Sequence, residues 1–219
     1  MLPQSTPRRR SAFKRKLLAW FRTAARDLPW RRTRDPYRVL VSEFMLQQTQ
    51  VSRVLEYYPR FLRRYPDLEA LARAKPRAVR EAWDGLGYYR RAANLHRLAR
   101  QVVKRHAGAI PSDPVALEDL PGVGPYTAGA VSSFAFEQPV PAVDTNARRV
   151  LRRVFGCQTA KSARTTALAL QPGRGQTAWA FNQALMELGA LVCKARAPKC
   201  PTCPVNRLCN WYLKPGNHS

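Results

Sequence analysis

Apolar side chains recur with i, i+3, i+4 spacing in PYRVLVSEFML, QVSRVLEYYPRFLRRY, LEALARA, AVREAWDGL, RAANLHRLARQVVKRH and TAGAVSSFAF, and Pro or Gly separates one run from the next. That period gathers the apolar residues on one face of a 3.6-residue turn, so each run predicts an amphipathic helix. Strand signals are scarce: the β-like run Val140 to Val143 is too short to pair into a sheet of any size. Short connections predict a compact packing of helices rather than beads on a linker. With no internal repeat and no low-complexity tract, the expected fold class is all-α.

Charge changes the picture more than composition does. The 219 residues carry 38 Lys and Arg against 14 Asp and Glu, a net charge of +24 with a pI of about 11.1. Solubility needs far less, so a polyanion, and nucleic acid first, is the natural partner. A hydrophobic content of 45% with five Trp excludes wholesale disorder. No run is long and apolar enough for a membrane span, and MLPQSTPRRRSAFKRK has no apolar secretory core. An acid-free basic start also suits an organellar transit peptide, but this one runs straight into the helical pattern of Phe13, Leu17, Leu18, Trp20 and Phe21. A frayed basic arm ahead of a helix is expected, in a cytoplasmic, nucleoid-associated protein.

Chemistry enters near the C-terminus with CKARAPKCPTCPVNRLC, where Cys193, Cys200, Cys203 and Cys209 are spaced C-x6-C-x2-C-x5-C. In a basic chain without a secretory core, disulfides are the poorer reading and a thiolate-ligated metal the better one. Zinc ribbons present two C-x2-C knuckles and only one is found here, so four corners of a [4Fe–4S] cube fit better, with zinc as the alternative. Cys157 stands apart and reads as a small core residue.

A second feature is LPGVGPYTAGAV, residues 120–131. A helix ending near Leu120, the turn Pro121, Gly122, Val123, Gly124 and a helix from Pro125 make a helix-hairpin-helix. Its glycines let the backbone turn sharply and aim N–H groups outward, and these add to the positive end of the next helix to bind a phosphate. P-G-x-G alone is also a plain tight turn between helices.

These motifs together carry a resemblance. LPGVGPYTAGAV, the Asp144 of PAVDTNARRVLRR eighteen residues after Tyr126, and the four cysteines resemble the helix-hairpin-helix Gly/Pro…Asp superfamily of DNA base-excision glycosylases. SEFMLQQTQV (42–51), WDGLGYYRRAANLH (83–96) and FNQALMELGALVC (181–193) resemble its MutY-type adenine DNA glycosylases, over roughly residues 17–212. The resemblance implies an all-α fold in two lobes: a six-helix barrel over 28–135, and a second lobe of residues 136–219 with the helix of 1–27 packed on it. A [4Fe–4S] loop at 193–209 closes that second lobe. It also implies double-stranded DNA with a mismatched or damaged pair as the partner, and a monomer is expected.

Hydrolysing an N-glycosidic bond needs a proton for the leaving base and negative charge near the developing sugar cation, which calls for two carboxylates in different protonation states. Glu43 lies in the apolar run RVLVSEFML, where desolvation would keep it protonated; read without the resemblance, a solvent-facing helix glutamate is the favoured reading. Asp144 follows the extended PVPAV and opens the helix TNARRVLRR, where the helix N-terminus would hold it ionised; a plain N-cap is the alternative role. The resemblance implies that Glu43 protonates the adenine and that Asp144 stabilises or captures the sugar cation. Endonuclease III-type relatives use a lysine where this chain has Tyr126, and a phenol cannot form an imine, so Tyr126 implies base release without strand cleavage. Gln47, Gln48 and Tyr88 match the probes that fill the hole left by a flipped base: the resemblance implies that Gln48 wedges into the duplex and reads the opposite base, that Tyr88 stacks beside it and that Leu46 contacts the bound strand. It places Arg31 and Asn146 around the extruded nucleotide, and Gly122, Val123 and Gly124 on the backbone phosphate.

Two departures bear on substrate. Thr145 stands where the MutY-type pattern usually has Gly, which concerns the tightness of the pocket. The nudix-like domain that reads 8-oxoguanine is not in this sequence, so removal of thymine or uracil opposite guanine stays open beside removal of adenine. A non-catalytic DNA-binding or redox-sensing module is the alternative from another class; it needs no combination of Glu43, Asp144 and Tyr126.

Overall fold

A computed structural model describes residues 6–173 and 175–214. Those residues form α-helices and short 3-10 turns with no β-strand among them, as the periodicity predicts. None of the helices is long and apolar enough to cross a membrane. The chain divides into two compact units, residues 27–136 on the one hand and residues up to 26 together with those from 137 onward on the other.

In the first unit the helices are α2 (Pro36–Leu46), α3 (Val51–Arg64), α4 (Leu68–Arg73), α5 (Pro76–Ala82), α6 (Arg90–Arg105), α7 (Pro114–Glu118) and α8 (Pro125–Phe134). Asp35, Asp67 and Asp113 begin α2, α4 and α7 by accepting backbone N–H bonds from Tyr37, Ala70 and Ala116 at 2.7–2.9 Å. Such caps are each worth about 1 kcal/mol. The core is aromatic and aliphatic: fully buried Trp83 meets Phe61 edge to face with ring centres 5.6 Å apart, and Leu40, Phe44, Leu95 and Leu98 are fully buried as well.

The second unit contains α1 (Pro7–Ala24), α9 (Thr145–Phe155), α10 (Ala160–Leu170) and α11 (Gln176–Leu191). Phe13, Leu17 and Phe21 line one face of α1 and pack on the core shared with α9 and α11, where Phe13 meets Phe155 at 5.0 Å. Here the expectation of a frayed basic arm is corrected, because α1 already begins at Pro7 and takes in Arg8, Arg9 and Arg10. Thr6 caps it, and the Arg9 guanidinium donates to the carbonyls of Val154 (2.9 Å) and Leu208 (2.6 Å) and to Asn210 Oδ1 (2.7 Å). Three acceptors on folded chain outweigh the entropy that would fray the end. The extended stretch at Val140 to Val143 is held by one side chain instead of a partner strand: Asn182 Oδ1 accepts from the Ala142 N–H and Asn182 Nδ2 donates to the Val140 carbonyl. Cys157 is buried, as expected, with its thiol 3.2 Å from Thr166 Oγ1.

Candidate functional site

In the unit of residues 27–136, candidate residues gather on α2, on the two turns that flank its end, and on the hairpin before α8. Val39 to Met45 are all buried, and Glu43 among them is only 3% exposed. The solvent-facing reading of this glutamate is thereby set aside. Helix α2 packs on α8, the helix that carries Tyr126 in its first turn. The hairpin turn requires its first glycine. Gly122 has φ +80°, and a Cβ there would lie 2.7 Å from Asn94 Nδ2 and 3.0 Å from a ring carbon of Phe44. Val123 is buried beneath the turn, and Gly124 is the N-cap of α8, without a side chain to cover the helix end. An anion can therefore approach the first N–H groups of α8.

Leu46 and Gln47 are half-buried at the end of α2, whereas Gln48 projects into solvent from a left-handed backbone (φ +56°). Tyr88 projects likewise, 62% exposed and at φ +48°. Arg31 is half-buried in a 3-10 turn, Pro29–Arg31, next to Trp30, whose ring meets Tyr58 edge to face at 5.5 Å.

The other unit holds Asp144, Asn146 and the cysteines. Asp144 is the N-cap of α9: Oδ1 accepts from the Ala147 N–H at 2.7 Å and Oδ2 from Asn146 Nδ2 at 2.9 Å. Asn146 Oδ1 in turn accepts from Arg149 at 2.7 Å, and the same guanidinium donates to the carbonyls of Gly189 and Cys193, both at 2.7 Å. Both oxygens of Asp144 are thus held, and the chain of bonds runs on to the first of the four cysteines. The cap favours the ionised Asp144, as expected, but burial outweighs it. Burial pushes the Asp144 pKa above the ordinary aspartate value, against the opposing pull of the Ala147 and Asn146 hydrogen bonds and the Arg149 charge. Arg149 and Gly189 were not foreseen; the visible signal was a small residue inside an otherwise bulky helical run, FNQALMELGAL.

Cys193, Cys200, Cys203 and Cys209 line one cavity with Val150, Leu188 and Val205. Arg153 donates to Cys193 Sγ at 3.3 Å and to the Lys194 carbonyl at 2.6 Å, which fixes the start of the loop. Burial pushes the Cys203 thiol up to about 11, and burial with neighbouring sulfurs also raises Cys200 and Cys209. Thiols so placed become good ligands only when positive charge is set among them. Among the described residues, no three His, Cys, Asp or Glu side chains converge closely enough to hold a single metal ion. One zinc ion, with bonds of about 2.3 Å, would draw its thiolates together, whereas a polynuclear cluster takes ligands set around a cavity. Four thiols around one cavity are a donor set that a thiolate-ligated cluster can use.

Residues 41–173 match the family described as HhH-GPD superfamily base excision DNA repair protein. Over 202 residues the chain is 48% identical to an adenine DNA glycosylase of Mycobacterium tuberculosis, covering 89% of this chain and 66% of that protein. It is 39% identical to a thymine-DNA glycosylase of Aeropyrum pernix, covering 92% of this chain and 94% of that one. The solved structure of a thermostable thymine-DNA glycosylase superposes with a TM-score of 0.88 at 34% identity, over 94% of this chain and 97% of that one. The chain belongs to the HhH-GPD superfamily of base excision DNA repair proteins. It spans just under two thirds of the length of the mycobacterial adenine glycosylase.

Proposed function

We propose that this chain is a monofunctional DNA glycosylase that hydrolyses the N-glycosidic bond of adenine mispaired with guanine or 8-oxoguanine in duplex DNA. The observation that carries this reading is the burial of Glu43 among apolar side chains. Adenine leaves poorly as an anion, so a proton must reach its ring as the bond to C1′ breaks, and a desolvated carboxylic acid supplies one at neutral pH. Glu43 gives up that proton while the bonding electrons go to the base. The Asp144 carboxylate, held at both oxygens by Ala147 and Asn146, faces the sugar cation with its charge. Water then adds to C1′, and its proton restores Glu43. Tyr126, with no amine, leaves the strand intact. Gln48 and Tyr88 probe the duplex, with Leu46, Gln47, Arg31 and Asn146 around the opened pair. Gly122, Val123 and Gly124 hold a backbone phosphate.

Cys193, Cys200, Cys203 and Cys209 would hold a [4Fe–4S] cluster, which when bound cross-links the loop 193–209 through its thiolates. In this reading residues 28–135 are the barrel and residues 136–219, with the N-terminal helix, the cluster lobe of a DNA-binding monomer in the cytoplasm. A second reading, excision of thymine or uracil opposite guanine, rests on the nearly full-length match to the thymine-specific relative. Those pyrimidines leave as ring-stabilised anions and need no proton from Glu43.

Incubation with A·8-oxoG, A·G, T·G and U·G duplexes tests both. Alkali-labile sites at adenine, no cleavage before alkali and no complex trapped by borohydride are expected. Sites at T·G or U·G alone would transfer the assignment to the second reading. Tight binding with no site in any duplex would make the chain a binding module, and borohydride trapping would end the monofunctional assignment.

A further inference from the structure

Arg91 is an arginine on the apolar face of α6, in line with Leu95, Leu98 and Val102, and it is only 7% exposed. Its guanidinium donates five hydrogen bonds to main-chain carbonyls at the ends of two other segments. Nη1 donates to Phe44 (3.1 Å), to Met45 (2.8 Å) and to Gln47, the last turn and C-cap of α2. Nη2 donates to Leu86 (2.9 Å) and Gly87 (3.1 Å), in the turn that leads into α6. Its guanidinium also lies 5.6 Å from the ring centre of Trp83 and 5.4 Å from that of Tyr88.

The bonds stop immediately before two unusual residues. Gln48 follows Gln47, and Tyr88 follows Gly87; both are non-glycine residues in the left-handed region, and both side chains are exposed. Such backbones persist only where the surroundings over-determine them. Gln48 and Tyr88 are exposed, so the restraint comes from the preceding peptides and, for Tyr88, from the Arg91 guanidinium against its ring. A guanidinium is the side chain suited to this, because its rigid fork can hold two segments at once and its positive charge satisfies the orphan carbonyls at a helix C-terminus.

We infer that Arg91 is the positioning residue for DNA probing, a single strut that locks the end of α2 and the 86–88 turn together so that Gln48 and Tyr88 enter the duplex as one rigid pair. The role rests on the reading of Gln48 and Tyr88 as DNA probes; the coupling of the two segments does not.

Hydrogen exchange tests the coupling without DNA. In the wild type, amides of residues 47–49 and 86–89 should open with one common free energy, and Arg91→Lys, which keeps the charge but loses the fork, should release both segments together by about tenfold or more in exchange rate while α8 is unchanged. Arg91→Met should do the same more strongly. Different opening free energies in the wild type, or release of one segment only in Arg91→Lys, overturns the strut, even if Arg91→Met does not fold. For the probing role, a duplex with 2′-fluoroadenosine opposite 8-oxoguanine, which resists cleavage, should bind Arg91→Lys about tenfold more weakly, with undamaged duplex held within about twofold by hairpin and charge. Equal weakening on both duplexes overturns the probing role. Coupled exchange in a protein that excises nothing would sink the proposed function and leave the strut standing.

Discussion

Asp144 is held at both carboxylate oxygens, yet its proton is bound more tightly than in an ordinary aspartate because burial outweighs those bonds. In the proposed mechanism it acts as an anion, so the rate of excision should fall as pH drops through that raised pKa, at a higher pH than a solvent-exposed aspartate would give. The Asn146 bond favours the anion; Asn146→Ala should therefore move the acid limb further up and lose more activity at acid than at alkaline pH. Asp144→Asn is neutral at every pH and should lose about a hundredfold in single-turnover rate, with the acid limb gone. Single-turnover excision measured across the acid and neutral range checks both, and an Asn146→Ala profile parallel to the wild type at every pH would contradict the assignment of that limb to Asp144.

At the scale of elements, Asp144 is aimed by the close approach of α9 to α11. A Cβ on Gly189 would lie 2.7 Å from Asn146 Cβ and 2.8 Å from its carbonyl carbon and oxygen, and backbone cannot step aside as a side-chain tip can. Gly189→Ala should cost about 1–3 kcal/mol in thermal or denaturant unfolding and slow excision by displacing the Asn146 and Asp144 pair. Gly173→Ala, which meets nothing within 4 Å, should stay within about 0.5 kcal/mol of wild type. The same elements show what could be read in the chain beforehand. The turn at Gly122, the cap at Asp144 and the apolar stripe of α1 are local, each written in a few neighbouring residues, and all were legible. Arg91 and Arg149 were not, because their partners lie far along the chain and only folding brings them together: Gln47 is 44 positions from Arg91, and Cys193 is 44 from Arg149. The upward pKa of Asp144 escaped for a related reason, since a cap is visible in sequence and the depth of its burial is not.

Across the whole molecule, five of the fourteen acids are tied into the fold. Asp35, Asp67, Asp113 and Asp144 cap helices, and Glu187 is buried in an ion pair with Arg26 at 2.7 Å. Most of the net charge of +24 is left for an anionic partner. Self-repulsion on that scale must be offset by packing, and in the unit of α1, α9, α10 and α11 the loop 193–209 sets buried Cys209 and half-buried Cys193, Cys200 and Cys203 against the core at Val150, Leu188 and Val205. Residues 27–136 have a separate aromatic core and none of the four cysteines. Cys200→Ser should therefore abolish the broad absorbance near about 400 nm expected of a [4Fe–4S] protein and destabilise the two units unequally. Hydrogen exchange should rise through α1, α9 and α11 first, while Trp83, Phe61 and the helices around them keep their protection. DNA binding should weaken and become less steep in salt as Lys194, Arg196, Lys199 and Arg207 lose a fixed loop. A colourless, zinc-loaded wild type with full activity, or a Cys200→Ser protein that melts as one unit with unchanged salt dependence, would refute this division of labour.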